Sequence, residues 1–234
     1  TPGWYTFVNP VMPEVRKHLQ AVARELSTYD VAGVHLDYIR YPHDYRDEAH
    51  KRYPNASRAE IDQRSQFSYD PLSLNKLAAR FGEHPTKEQI REFRCDSVTQ
   101  VIRDISAGLR DNCLLSCSVL GNPVDGKFSA YQDSGKWAKE ELVDWVVQMD
   151  YATRSFNLYL EKMEETTGRR AFRDRVVVAL FCENDTDLLL EQIDTAKHSG
   201  CLGLALFSYG YLFDEQHQLT EKGRRVLERF IPAE

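Results

Sequence analysis

From Val31 to Phe230 the sequence alternates short apolar, β-prone runs with amphipathic helical stretches, five times over. This alternation is the strongest constraint on the fold, because it implies parallel strands joined by helical crossovers. The runs are Val31–Ile39, Cys113–Leu120, Val143–Tyr151, Arg175–Phe181 and Cys201–Tyr209. The helical stretches are Arg91–Arg110, a short one near Gly135–Glu141, then Phe156–Thr167, Leu188–His198 and Leu219–Phe230. A β-prone run at Trp4–Val8 and a helical pattern from Pro13 to Leu26 come before them. Right-handed crossovers place all the strand carboxyl ends on one rim. The polar residues collect there: Asp37 and Arg40, Ser118 and Asn122, Gln148 and Asp150, Glu183, then Ser208 and Tyr209.

The predicted fold class is therefore α/β, a (β/α)8 barrel of the TIM type, whose active site sits at that rim. A closed barrel of eight units takes about 250 residues. This chain has 234 and about six units. Either its first strands lie outside the chain or the sheet is open, and the truncated barrel is the favoured expectation. Residues 1–234 are read as a single partial barrel domain, with a long polar insertion at about 43–92 after the Asp37 strand. That insertion reads equally as a solvated excursion or as a lid or subsite wall, since long loops in compact domains are uncommon and often functional.

The first of the five strands carries the sharpest local signal. His35 and Asp37 alternate onto one face, with Val34 and Leu36 on the other. Charged groups are rarely buried unless paired, so a carboxylate leaving an apolar strand, followed by Tyr38, Arg40 and Tyr41, marks the lip of a pocket. The alternative is a strand-end Asp that caps its own loop.

Charge and cysteine content narrow the function classes. The net charge of -6 and the scattered arginines give no basic stripe for nucleic acid. No apolar run reaches the roughly eighteen residues of a membrane span. The five cysteines form no CxxC pair and no Cys/His cluster of metal spacing, so they read as buried thiols. Asn55-Ala56-Ser57 and Asn184-Asp185-Thr186 match glycosylation acceptors, a pattern that also arises by chance. The chain begins at Thr1 without a signal-peptide pattern, which reads as a processed or excised piece.

With the rim residues placed, the sequence resembles the glycosyl-hydrolase-like family 10 group, bacterial glycosidase-like barrels distinct from the family 10 xylanases. Phe7-Val8-Asn9-Pro10 and Pro13-Glu14-Val15-Arg16 are similar to the group's entry to its third helix. The run from Tyr29 to Tyr38 resembles its fourth-strand signature, with Ala32 and Tyr38 where the group often has Asp. Phe67–Pro71 and Phe93–Val98 resemble its insertion and following helix, Val143-Asp144-Trp145 its sixth strand and Gly203–Gly210 its eighth. Gln148-Met149-Asp150-Tyr151 departs from the group's usual Pro-Gln pair. The resemblance implies a barrel that cleaves a glycosidic bond in a polysaccharide, with peptidoglycan glycan strands as one substrate class. It also implies an extracytoplasmic or cell-envelope location, and carboxylates at strand four and at strand six or seven.

Glycoside hydrolysis needs two carboxyl groups, one ionised and one protonated near neutral pH. Asp37 is the expected ionised group, kept charged by Arg40 and by His35 if protonated. Asp150 is the first choice for the acid, on the lumen side of its strand, and Glu183 the second. The expected substrate-binding residues are His35, Tyr38, Arg40, Tyr41, Asn122, Gln148, Tyr151 and Tyr209, with Trp137 as a further stacking candidate. No metal or organic cofactor is implied, and the partner is an oligo- or polysaccharide. The rival reading is a carbohydrate-binding barrel without turnover. A phosphate-handling barrel fits less well, because Glu183 and Asp185 would repel the ligand.

Overall fold

The computed structural model describes residues 7–42, 51, 53–64 and 70–231. These fall into two compact units. One comprises the chain up to Val34, Tyr38–Cys113 and Lys127–Asp133; the other comprises His35–Asp37, Leu114–Gly126 and the chain from Ser134 on.

The first unit is helical. Pro13–Leu26 begins with proline in its first turn and Glu14 against the positive helix end. It packs on the Lys87–Ser106 helix, where Arg16 Nε meets Asp104 Oδ2 at 2.8 Å. Gly108 allows the close approach, since a Cβ there would lie 2.7 Å from Gln20 Cγ and 2.9 Å from Gln20 O. The long helix starts four residues before the expected Arg91. Thr86 and Gln89 form a reciprocal capping box that satisfies two orphan amides and sets the start at Lys87. Asp70 caps the Pro71–Phe81 helix by accepting from the Ser73 N–H, and Asn9 Nδ2 donates to Asp70 Oδ2 at 2.6 Å. Arg58–Arg64 is a short helix. The insertion thus holds helices at its described positions, while Phe67–Tyr69 lie outside the described residues. Of the run Trp4–Val8, Trp4–Thr6 also lie outside them, and Phe7–Asn9 are not in a strand.

The second unit is built on a parallel sheet. The strands are β1 (Gly33–Leu36, only its last two residues in this unit), β2 (Leu114–Leu120), β3 (Trp145–Met149), β4 (Val176–Phe181) and β5 (Gly203–Phe207). They lie in sequential order, β1-β2-β3-β4-β5. Ser116 pairs with Trp145, Val146 with Val176, and Val177 with Gly203, all parallel. Sequential parallel order is that of a (β/α)8 barrel, not of a doubly wound sheet whose order reverses. β1 is shorter than the Val31–Ile39 run, because Tyr38 takes a left-handed φ of 53° that no strand continues through.

Residue parity divides the sheet into two faces. Leu115, Cys117, Val119, Val146, Val176, Val178 and Leu180 are buried. They share their side of the unit with a core of Trp137, Met163, Phe172, Leu189 and Ile193 from the helices. The opposite face carries Ser116, Ser118, Trp145, Ala179, Phe181 and Phe207. Trp145 is 41% and Phe207 53% exposed on it. Asp144 pins the starts of two strands: its N–H donates to Leu115 O at 2.7 Å and its Oδ2 accepts from Leu115 N at 2.8 Å. Trp137, a stacking candidate by sequence, is fully buried in the helix-side core. All five cysteines are unpaired, and burial pushes Cys117 up to about 12 and Cys182 to about 11.

The C-terminal helix, Glu221–Glu228, is capped by Thr220, which accepts from the Gly223 N–H at 3.0 Å. A Cβ on Gly223 would lie 2.2 Å from Leu212 O and 2.9 Å from a Leu219 methyl. Gly223→Ala is therefore expected to cost about 2 kcal/mol by overpacking against backbone. A urea midpoint equal to that of the wild type would show that the helix shifts freely. Among the described residues no helix is long and apolar enough to cross a membrane.

Candidate active site

The site is assembled in the second unit, where the strands end. β1 delivers His35, whose ring is held by two hydroxyls of β2: Nδ1 lies 2.8 Å from Ser116 Oγ and Nε2 2.8 Å from Ser118 Oγ. A neutral imidazole has one donor and one acceptor nitrogen, so one serine accepts and the other donates. Burial lowers the His35 pKa below 6.5, against the raising effect of Asp37. The ring is thus uncharged at neutral pH, which corrects the expectation that it keeps Asp37 ionised by its own charge. Asp37 is exposed, two residues beyond it.

β3 departs most from the sequence reading. Gln148 is fully buried, and its Nε2 donates to Gly121 O at 2.8 Å and to Tyr159 O at 3.0 Å. Tyr159 belongs to the Phe156–Thr167 helix, so Gln148 faces the helices and serves as an internal tie, not as a sugar ligand. Asp150 is likewise fully buried, and neither of its oxygens has a well-formed hydrogen bond. Burial pushes its pKa from 3.8 to about 8, opposed only by the nearby Ala152 amide. Asp150 is thus protonated at neutral pH, as an acid catalyst must be, but its carboxyl is sealed from solvent. It is not placed to meet a substrate, which corrects its choice as the acid.

Tyr151, next in the chain, does take part in the site. Its phenol is pushed up to about 12, first by burial and then by the Asp37 carboxylate. Its ring lies 5.2 Å from Phe181 and 5.9 Å from Phe207, and those two rings are 6.3 Å apart. The three planes lie within 30° of one another. Parallel registry explains the grouping, because Phe181 pairs with Phe207 at the last positions of β4 and β5.

Glu183 leaves β4 just beyond Phe181 and is exposed. Its loop is anchored by Lys222, whose Nζ donates to Cys182 O at 2.9 Å and Asn184 O at 2.8 Å, the carbonyls flanking Glu183. The Asn184 side chain donates to Gln192 Oε1 at 3.2 Å, so this glycosylation triplet is engaged in the fold. Partial burial raises the Tyr211 phenol, and so do the charge of Glu183 and its hydrogen bond. Tyr211 meets the Phe181 ring edge-on, with centroids 5.9 Å apart at 75°. Tyr151, Phe181 and Tyr211 thus form a run of aromatic rings in contact, and the charges of the exposed Asp37 and Glu183 act on the phenols at its two ends.

The other predicted residues have other work. Asn122 caps the Pro123–Ser129 helix; its Oδ1 accepts from Val124 N at 3.0 Å and its Nδ2 donates to Asp125 Oδ2 at 2.8 Å. Tyr41 belongs to the first unit, where it is buried, edge-on to Tyr131 at 5.1 Å. Its side chain is a packing element, not a sugar platform. In that unit too, the Arg40 guanidinium lies 4.6 Å over the Tyr38 ring. Tyr209 is 52% exposed at the start of a 3-10 turn, Tyr209–Tyr211. The sequence reading missed Phe181, Phe207 and Tyr211. A cleft of about 820 Å³ elsewhere in this unit, lined by Leu160, Phe172, Leu190, Asp194, His198 and Arg225, contains none of the predicted site residues.

The family model for glycosyl hydrolase-like 10 matches residues 2–181. No curated protein matches the chain. Among solved structures, the catalytic domain of β-amylase from Paenibacillus polymyxa is similar in fold, with a TM-score of 0.61 at 9% identity. That match covers 96% of this chain and 71% of the β-amylase chain.

Proposed function

Because the chain belongs to the glycosyl hydrolase-like 10 family, we propose that it hydrolyses a glycosidic bond in a polysaccharide, using Asp37 and Glu183 at the strand carboxyl ends. The observation that carries this reading is the aromatic series between the two carboxylates, from Tyr151 through Phe181 to Tyr211. An oxocarbenium-like transition state is served by two carboxyl groups on either side of the scissile bond, and the roles proposed for Asp37 and Glu183 are these two. Flat apolar rings present a surface for pyranose C–H groups, while the carboxylates meet the glycosidic oxygen and the anomeric carbon.

Asp37 takes the ionised role, as nucleophile or as base toward water. Glu183 takes the role of acid. A sugar settling on the Phe181 and Tyr211 rings desolvates this carboxyl, and desolvation favours its protonated form. Glu183 protonates the leaving oxygen as its bond to the anomeric carbon breaks, and a water adds to that carbon, its proton taken by Asp37 directly or, after a covalent glycosyl–Asp37 intermediate, by Glu183. The neutral His35, fixed by Ser116 and Ser118, serves as an uncharged wall beside Asp37. The substrate class we favour is a cell-envelope glycan.

The test is incubation of the protein with soluble polysaccharides: peptide-free peptidoglycan strands, glycol chitin and hydroxyethyl cellulose. New reducing ends are expected on at least one of them. Retention of a polymer with no release of reducing ends from any would overturn hydrolysis and leave a carbohydrate-binding barrel.

A further inference from the structure

A second aromatic plate follows the first in the chain. Tyr209 and Phe213 stack with centroids 4.2 Å apart and planes 5° from parallel. The Tyr209 hydroxyl lies 3.1 Å from His217 Nδ1. The loop behind them is tightly tied. Asp214 N donates to Gln218 O at 2.9 Å, His217 N to Asp214 O at 3.0 Å, and Asp214 Oδ1 accepts from the backbone amides of Gln216 and Gln218. Phe213 and Leu219 close it with an isolated antiparallel bridge. His217 adopts φ 59°, a left-handed conformation uncommon for a residue with a Cβ, and this brings its ring to the Tyr209 hydroxyl. Tyr209 remains 52% exposed although Phe213 backs it.

We propose that this plate is an additional sugar-binding subsite, which makes the site one for a long glycan chain and not for a short oligosaccharide. The inference rests on the glycosidase reading above and deepens it. Three features select a glycan as the occupant. The exposed ring is rigid and backed, so binding requires little ordering. Its rim is polar, with exposed Gln216, His217 and Gln218, beside the acidic Asp214 and Glu215, offering the donors and acceptors that sugar hydroxyls use. The plate is also adjacent in the chain to the proposed site, because Tyr209 shares its 3-10 turn with Tyr211, which meets Phe181 edge-on. A chain crossing the first platform therefore has a next ring to rest on. A short oligosaccharide can take the first platform alone, whereas a polymer must cross both.

The experiment compares Tyr209→Ala, Tyr209→Trp and the wild type on peptide-free peptidoglycan strands and glycol chitin, against chitotetraose. The ratio of kcat/KM for polymer to that for tetrasaccharide is expected to fall about tenfold in Tyr209→Ala, through KM, and to recover in Tyr209→Trp; tenfold corresponds to about 1.4 kcal/mol. The same substitution in an Asp37→Asn background is read by affinity electrophoresis in glycol chitin gels, where retardation is expected to drop. Thermal unfolding of each variant separates loss of the plate from loss of the fold. Wild-type cleavage with an unchanged ratio in a folded Tyr209→Ala protein overturns the subsite and leaves the catalytic reading standing. A wild type that neither cleaves nor is retarded by any of the polymers overturns both.

Discussion

Asp37→Asn and Glu183→Gln are each expected to lower glycan cleavage by roughly three orders of magnitude, the scale on which general acid–base groups act. Both changes are nearly isosteric and remove only the ability to carry a charge or a transferable proton. Both side chains are exposed, so the fold is expected to be unaffected to within about 0.5 kcal/mol. The two variants should differ in rescue. Azide can replace a missing carboxylate nucleophile or base at the anomeric centre, and so restores part of the rate to Asp37→Asn. A variant lacking the acid recovers instead on substrates whose leaving group needs no proton. Polymer binding should persist in both, since the aromatic floor of Tyr151, Phe181 and Phe207 is untouched. Full activity in Asp37→Asn would remove this residue from the chemistry.

Much of the architecture was legible because it depends on periodicity. The five strand–helix repeats, the parallel sheet and the helix positions follow from apolar spacing that solvent exclusion enforces. Individual roles at the strand ends were less legible, because a polar residue in an apolar strand has two explanations. His35 and Asp37 are polar on the open face, where water or a ligand meets them. Gln148 is polar on the closed face, where Gly121 and Tyr159 supply carbonyls that need a donor. Alternation along β3 distinguishes the two faces but does not say which one the helices cover. Asn122 illustrates a different confusion. Asn before Pro123 is a helix-start signal, yet at a strand exit it also resembles a ligand. The aromatic floor was hidden for the opposite reason. Phe181 and Phe207 end apolar runs and read as core, and only the β4–β5 register places them side by side.

The burial that takes Asp150 out of the reaction leads to the other large expected effect, on stability. Its carboxyl titrates near 8 in the fold against 3.8 for an unperturbed aspartate. Between these values the folded chain holds a proton that the unfolded chain releases, so stability falls as pH rises. The contribution of Asp150 is complete below the unfolded pKa and is lost as pH rises through the folded one. Asp150→Asn removes this titration while keeping shape and burial. The stability difference between variant and wild type is therefore expected to widen in the variant's favour by about 4 kcal/mol from pH 5 to pH 8, at about 1.4 kcal/mol per pKa unit. The buried amide of the variant has its own cost, but that cost does not change with pH, so it cancels in the comparison. Urea midpoints of both proteins at the two pH values measure the widening. Parallel profiles would mean that Asp150 ionises normally within the fold, returning it to contention as a carboxylate that solvent and substrate can reach. A widening with glycan cleavage unimpaired at pH 6 would instead place this acid in the wall of the sheet, outside the reaction.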